Sequence, residues 1–337
     1  MTTLIFTYDA TPHQIEAVRR AIVGEGAAEI TRMNGDRVAF LVDDPAGLVH
    51  FDRMQQMPGV ESVLNASDKN RAVAEVTPAT RLESGIEGLL VIAGPCSIES
   101  EEQVASVYER MAEEGLRYVR GGAYKPRTSP HDFQGRGAEA LVISAEIARD
   151  FGLEIVSEVM DPRDVELAAR HVAMLQIGTR SMQNIPLLRE AGASRLPVLL
   201  KRGMSATVEE WIGAAEHVLV AGAPVVIFCE RGIRTFESIT RNTLDVLGAA
   251  ALKERTAMPV IVDPSHAAGR RSLVVQGALA GLAAGLDGLL VEVHNDPASA
   301  RSDAAQALRF DEFSTLMRRA RALRAALAEA DLYERKR

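Results

Sequence analysis

Cysteine is scarce in this chain. Only Cys96 and Cys229 occur among 337 residues, which excludes a disulfide framework and suits a cytoplasmic protein. No run of about 18 apolar residues occurs, so no membrane-spanning helix is expected. The opening residues, MTTLIFTYDATPHQ, lack a basic stretch followed by an apolar core and a cleavage site. They read as a strand and a helix start rather than a signal peptide. Positive charge is in deficit too. The formal net charge of -8 argues against nucleic acid or an anionic membrane as the main partner. Also missing is a G-x-G-x-x-G after any β-rich run, which weighs against a dinucleotide site. Any anion site must therefore be a local cluster of cations in an acidic protein.

What is present suits a soluble globular protein. Hydrophobic residues make up 47% and charged residues 25%, ordinary values for a chain long enough to form one or two cored domains. The first 70 residues have their own pattern. TLIFTYD is β-rich. TPHQIEAVRRAIVGEG opens with a Thr cap and a Pro at the first helical position, keeps helical spacing and stops at glycine. AEITRMNGDRVAFLVDD reads as two strands around Asn34-Gly35. PAGLVHFDRMQQMPG predicts a second helix and VESVLNA a last strand. The order β-α-β-β-α-β predicts a small ferredoxin-like sandwich over residues 1–70. Residues 71–84 read as a linker.

From residue 85 to 337 the pattern changes. GLLVIAG, YVRGGAY, EIVSEVM, AMLQIG, PVLLKR, PVVIFCE, PVIVDPS and GLLVEVH alternate with amphipathic helical stretches. Eight such βα units in roughly 250 residues predict a TIM (β/α)8 barrel rather than an open doubly wound sheet. In such a barrel the chemistry lies at the C-terminal ends of the strands. Those ends carry, in order, Cys96; Lys125 and Arg127; Glu158; Arg180; Lys201 and Arg202; Glu230 and Arg231; Asp263 and His266; Glu292 and His294.

These residues fall into two chemical sets. Arg120, Lys125, Arg127, Arg180, Lys201, Arg231 and Arg234 are cations. Burying them together requires anionic partners, and arginine suits phosphate and carboxylate. A small ligand carrying both groups is expected. Cys96, His266, Glu292 and a nearby aspartate form the second set, whose thiol, imidazole and carboxylates suit Mn, Fe, Co or Zn better than Mg or Ca. Asp296 and Asp303 both compete for the aspartate position, and spacing does not choose between them. Cys229, inside VVIFCE, reads as core.

The motifs AGPCSIES, RGGAYKPRTSP, QIGTRSMQN, LLKRGM, IVDPSHAAGRR and VEVHNDPASARSDAAQAL together resemble class I 3-deoxy-D-arabino-heptulosonate-7-phosphate (DAHP) synthases. The likeness covers most of residues 85 to 330. The sandwich resembles the ACT-type regulatory domain of one branch, type I-beta. The resemblance implies condensation of phosphoenolpyruvate with erythrose 4-phosphate, releasing phosphate at the head of the shikimate pathway. It implies one divalent metal ion on Cys96, His266, Glu292 and Asp303. It puts Arg120 and Lys125 at the phosphoenolpyruvate carboxylate, with Arg180, Lys201 and Arg231 as the phosphate clamp. Glu158 would lie near the reacting carbons and a water. Arg127, Thr128 and Ser129 would meet erythrose 4-phosphate. Lys125, His266, Cys96 and Glu158 are the expected catalytic residues. A homotetramer inhibited by tyrosine or phenylalanine is also implied.

Three alternatives predict different chemistry. A 3-deoxy-D-manno-octulosonate-8-phosphate synthase would use arabinose 5-phosphate; that family resembles this sequence in the phosphoenolpyruvate clamp but typically has an Asn-Arg-Ser-type stretch where this chain has KPRTS. A Schiff-base aldolase using Lys125 or Lys201 would work in chelator. A non-catalytic amino-acid sensor would release no phosphate.

Overall fold

Thr11 and Pro12 start the first helix as their chemistry predicts. The Thr11 hydroxyl accepts from the Gln14 amide, the Gln14 side chain accepts from the Thr11 amide at 2.7 Å, and Pro12 needs no hydrogen bond. This helix, α1 (Pro12–Gly24), follows β1 (Thr2–Phe6). After it come β2 (Ala28–Asn34), β3 (Arg37–Asp43), α2 (Phe51–Gln55), β4 (Val60–Leu64) and α3 (Arg71–Glu75). The strands form one antiparallel sheet in the order β2-β3-β1-β4, the arrangement expected of a ferredoxin-like sandwich. Asn34 pairs with Arg37 across the hairpin. Leu4 and Phe6 on β1, Val18 and Ile22 on α1, and Phe40 and Val42 on β3 make the core. Phe6 and Phe40 meet edge to face at 4.9 Å.

The structure is a computed structural model that describes all residues except 1, 8, 35–36, 45, 47, 65–70, 76–81, 83–87, 126–130, 132 and 335–337. It divides into two units, Met1–Thr77 and Pro78–Arg337. The second predicted helix of the sandwich is shorter than its sequence pattern suggests. The Asp44 carboxylate accepts from the amides of Leu48 and Val49 at 2.9 Å each, ahead of α2, which starts only at Phe51. The expected linker contains α3.

The second unit is a closed barrel of eight parallel strands in chain order. Its elements are β5 (Leu90–Gly94), α4 (Glu101–Glu113), β6 (Tyr118–Arg120), α5 (Gly137–Asp150), β7 (Glu154–Val159), α6 (Val165–Ala169), β8 (Met174–Ile177), α7 (Ile185–Ala193), β9 (Val198–Lys201), α8 (Val208–Ala221), β10 (Val226–Glu230), α9 (Val246–Lys253), β11 (Val260–Val262), α10 (Pro264–Ala268), α11 (Val274–Ala283), β12 (Gly288–Glu292) and α12 (Phe310–Glu334). This is the TIM barrel the alternation predicts. Most strands are buried along their whole length, because one face packs inside the barrel and the other lies under helices. Hence they read as continuous apolar runs rather than alternating ones. Trp211 on α8 shows how a helix is fixed to the wall. Its indole donates to the Leu200 carbonyl at 3.1 Å and meets Phe228 edge to face at 5.0 Å. Truncating a buried side chain of this size costs about 3–5 kcal/mol. No described helix is long and apolar enough to cross a membrane.

Candidate active site

Each strand of the barrel delivers a polar group at or just past its C-terminal end. Arg120, Lys201, Glu230 and Glu292 are the last residues of β6, β9, β10 and β12, and Asp263 directly follows β11. All five are buried, as are Lys125 and Arg231. Burial of so many charges is costly unless each is paired or awaits a partner.

The thiol, imidazole and carboxylates converge. The Cys96 Sγ lies 3.0 Å from Asp303 Oδ2. One donor atom each from Cys96, Glu292 and Asp303 falls within 4.8 Å of the others. His266 Nε2 is 3.3 Å from Glu292 Oε1, while its Nδ1 lies 2.7 Å from Asp263 Oδ2. Asp263 also accepts from Lys201 Nζ at 2.8 Å. Burial would raise the Asp263 pKa, but His266 and Lys201 hold it well below the ordinary carboxylate range. Asp263 is therefore an acceptor, so His266 Nδ1 carries the proton and Nε2 offers a lone pair toward Glu292. Burial also lowers the His266 pKa against the pull of Asp263 and Glu292, favouring the neutral ring.

Burial and then Glu292 push the Cys96 thiol up to about 12. Glu292 and Asp303 are held low despite burial, chiefly by His266. The result is a knot of electron-pair donors, and a transition metal fits that donor set.

Asp303 rather than Asp296 lies beside Cys96. Asp296 is exposed, and its carboxylate accepts from the Ala298 amide in a turn. Asp303 sits well beyond β12, yet three contacts tie its segment to the loop after β5. Ser302 and Ser97 hydroxyls meet at 2.7 Å, the Arg301 amide donates to Glu99 at 2.9 Å, and Cys96 meets Asp303 itself. The Asp303 backbone takes φ 52, a left-handed conformation that aspartate tolerates better than most residues.

The cations divide by their company. Arg120 pairs with Glu292 Oε1 at 2.9 Å, and Lys125 Nζ donates to the Cys96 carbonyl at 2.9 Å. Burial would lower both pKa values, but Glu292 for Arg120 and Cys96 for Lys125 lead the effects that keep them raised. Arg202 is consumed internally. It pairs with Glu230 at 3.0 Å and Asp245 at 2.8 Å, and its Nε donates to the Ala206 carbonyl. Arg231 is the opposite case. It is buried, its Nε has no partner, and it forms no ion pair among the described residues. Burial lowers its pKa, as expected of a guanidinium lacking an anion. Arg180 and Arg234 are exposed. Glu158 accepts from Gln176 at 3.1 Å. Arg127, Thr128 and Ser129 lie outside the described residues.

Two glycines make room for these groups. A Cβ at Gly122 would fall 2.6 Å from the Cys96 carbonyl and 3.1 Å from Lys125 Nζ. A Cβ at Gly178 would fall 2.0 Å from Glu158 Oε1. Their use is close approach of backbone to a working side chain. Sequence reasoning gave no role to Gln306, Arg241 or Gln176. All three touch the site through carboxylates, and only their position near site motifs hinted at it.

Comparison with known proteins gives a consistent picture. Residues 74–329 match the model of the DAHP synthetase I family. A phospho-2-dehydro-3-deoxyheptonate aldolase of Thermotoga maritima is 39% identical over 283 residues, covering 82% of this chain and 84% of that protein. A crystal structure of a Thermotoga maritima protein of that name, also called DAHP synthase, matches with a TM-score of 0.71 and 34% identity. The match spans 97% of this chain and 98% of that one. A 2-dehydro-3-deoxyphosphooctonate aldolase of Bradyrhizobium sp. is 32% identical over 251 residues, 68% of this chain and 86% of that protein.

Proposed function

The chain belongs to the DAHP synthetase I family, and from that premise we propose how its barrel mouth joins phosphoenolpyruvate to erythrose 4-phosphate. The products are DAHP and inorganic phosphate, and the reaction opens the shikimate route to aromatic amino acids. The observation that carries the residue roles is the contact between the two chemical sets. Arg120 bonds to Glu292 and Lys125 to the Cys96 carbonyl, so an anion held by these cations sits against the donor cluster.

Cys96, His266, Glu292 and Asp303 hold one divalent transition metal ion, which when bound supplies a Lewis acid for the aldehyde oxygen of erythrose 4-phosphate. Arg120 and Lys125 bind the carboxylate of phosphoenolpyruvate. Lys201, Arg180 and Arg231 bind its phosphate, and Arg231, whose Nε has no partner and which forms no ion pair among the described residues, gains the anion it lacks. Arg127, Thr128 and Ser129 receive the sugar phosphate. Held in this way, carbon-3 of phosphoenolpyruvate attacks the aldehyde carbon. Water adds to the cationic carbon-2, and phosphate leaves by carbon–oxygen cleavage. Glu158 orients that water and takes the proton it loses on adding to carbon-2, while Lys125, kept protonated, gives its proton to the former aldehyde oxygen. Positioning of this kind supplies on the order of 7 kcal/mol or more in favourable cases.

The sandwich is assigned inhibition by tyrosine or phenylalanine, and the assembly is a homotetramer. The KPRTS stretch favours erythrose 4-phosphate over arabinose 5-phosphate. The test is phosphate release from phosphoenolpyruvate with each aldose phosphate, with and without chelator. Activity with erythrose 4-phosphate, lost in chelator and restored by Mn or Co, is expected. Preference for arabinose 5-phosphate overturns the substrate assignment. Chelator-resistant turnover with borohydride trapping would point to a Schiff base on Lys125 or Lys201.

A further inference from the structure

The segment between β10 and α9 touches two of the four residues assigned to the metal and reaches a third through Gln306. Arg241 Nη1 donates to Asp303 Oδ1 at 2.9 Å and to Gln306 Oε1 at 3.1 Å. Gln306 Nε2 in turn donates to Glu292 Oε2 at 2.6 Å. Next to Arg241, the Asn242 side chain donates to the His266 carbonyl at 3.0 Å. The backbone is anchored as well, with the amides of Arg241 and Asn242 donating to the carbonyls of Ala268 and Ala267.

In both carboxylates one oxygen is held from outside the cluster. Asp303 presents Oδ2 to Cys96 while Arg241 holds Oδ1. Glu292 presents Oε1 to His266 and Arg120 while Gln306 holds Oε2. A carboxylate whose outer oxygen is held is oriented, with its inner oxygen turned toward the ligand position, which on Glu292 Oε1 is shared with the Arg120 guanidinium.

We propose that Arg241 is a positioning residue for the metal site and acts with Gln306 as one unit that fixes both carboxylates. This rests on the assignment of Cys96, His266, Glu292 and Asp303 as ligands. Stability does not explain the arrangement, because the Arg241 and Asp303 side chains are 43% and 20% exposed, and ion pairs so accessible to water stabilise a fold little.

The test uses the full metal-free chain titrated with Co(II) against a chromophoric chelator, with visible absorption recorded. Arg241→Ala is expected to weaken cobalt binding by about 10- to 100-fold and to alter the cobalt bands, with little change in the melting temperature of the metal-free protein. Arg241→Lys, which keeps the charge but not the two-partner reach, is expected to restore part of the loss. Gln306→Ala should weaken binding similarly, and the double variant by less than the product of the two, since both act on one unit. Cobalt affinity within about twofold of the parent, with the parent's spectrum, in folded Arg241→Lys and Gln306→Ala would overturn the proposal even if Arg241→Ala failed to fold. A parent that binds cobalt without a thiolate-to-metal band would instead overturn the ligand assignment on which the proposal stands.

Discussion

The sandwich and the barrel mouth use the same ionic pair in opposite settings. In the sandwich, Arg19 meets Glu16 at 2.7 Å and Glu29 at 2.6 Å, with the arginine side chain 35% exposed. At the mouth, Arg120 meets Glu292 at 2.9 Å with both side chains nearly or fully buried. The first arrangement is screened by water and worth roughly 0–1 kcal/mol. The second must overcome a large desolvation cost, and an apolar replacement is often as stable. Charge at the surface of the sandwich therefore needs no explanation beyond solubility. Charge inside the mouth calls for another account, which the proposed ligand roles supply.

The largest expected effects lie in the donor cluster. Cys96→Ala or His266→Ala should lower kcat/KM by about 10³-fold or more, since a Lewis acid supplies several kcal/mol of transition-state stabilisation. Steady-state phosphate release checks this, and a loss below tenfold would break the assignment. Arg231→Met separates function from stability. Arg231 forms no ion pair among the described residues and its one hydrogen bond is a long one, 3.4 Å from Nη1 to the Gly232 carbonyl, so its removal strands no charged partner. Activity should fall about 10²-fold while the melting temperature of the ligand-free protein holds or rises. Arg120→Met should lower both, because the buried Glu292 would lose its guanidinium partner and keep only Gln306 and His266. Equal melting temperatures for the two variants would erase the distinction between awaiting and paired cations.

Proton release on metal binding sharpens the same contrast. In the metal-free protein Cys96 is a thiol, pushed up to about 12 by burial and Glu292. Glu292 and Asp303 are already ionised and His266 is neutral. Metal binding near pH 7.5 should therefore release about one proton, from Cys96. Calorimetry in buffers of different ionisation enthalpy reads this number, and a value near zero or two would contradict the protonation states. The acid response follows from the same shifts. The depressed Asp263 and Glu292 stabilise the fold above the unfolded value of about 4, and this is lost as pH falls through their folded values. The depressed His266 acts in the same direction, because below about 6.5 the unfolded chain takes up a proton that the folded ring resists. Metal-free protein should lose stability in two stages as pH drops.

Much of this was legible in the sequence. All eight barrel strands read as apolar runs because parallel strands are buried on both faces, and their polar ends could then be taken in order. Three features were not legible. Arg202 and Arg231 both follow a strand, yet one is paired with Glu230 and Asp245 and the other is not. That difference depends on strand neighbours far apart in sequence. The placement of Asp303 rather than Asp296 beside Cys96, which spacing left open and only the family resemblance chose, rests on contacts between Ser97 and Ser302 and between Glu99 and Arg301, which join the two ends of the barrel sequence. The second sandwich helix, read over residues 45–59, begins only at Phe51, and ahead of it the Asp44 carboxylate takes the Leu48 and Val49 amides that a helix would use.

A smaller effect on catalysis is expected from the sandwich as a whole. Removal of residues 1 to about 70 should leave turnover with erythrose 4-phosphate within roughly twofold and abolish inhibition by tyrosine or phenylalanine. Rates measured with each amino acid for the full and shortened chains decide it. Loss of basal activity in the shortened chain would favour a structural role for the sandwich.

The smallest effect is expected at Thr11. Its hydroxyl and the Gln14 side chain satisfy amides at the start of α1 that would otherwise lack partners. Both side chains face solvent or are partly exposed, so water can replace part of what is lost. Thr11→Ala should therefore cost about 1 kcal/mol, seen as a lower denaturation midpoint for the sandwich, with kcat and both KM values unchanged. Gly122→Ala is the matching change at the mouth. It removes no hydrogen bond and adds one methyl group, but that group would press on the Cys96 carbonyl and Lys125 Nζ. It should cost more activity than Thr11→Ala costs stability. If the two substitutions proved equally mild, the mouth would be no more tightly constrained than the sandwich surface, and the functional reading of its buried charges would lose its basis.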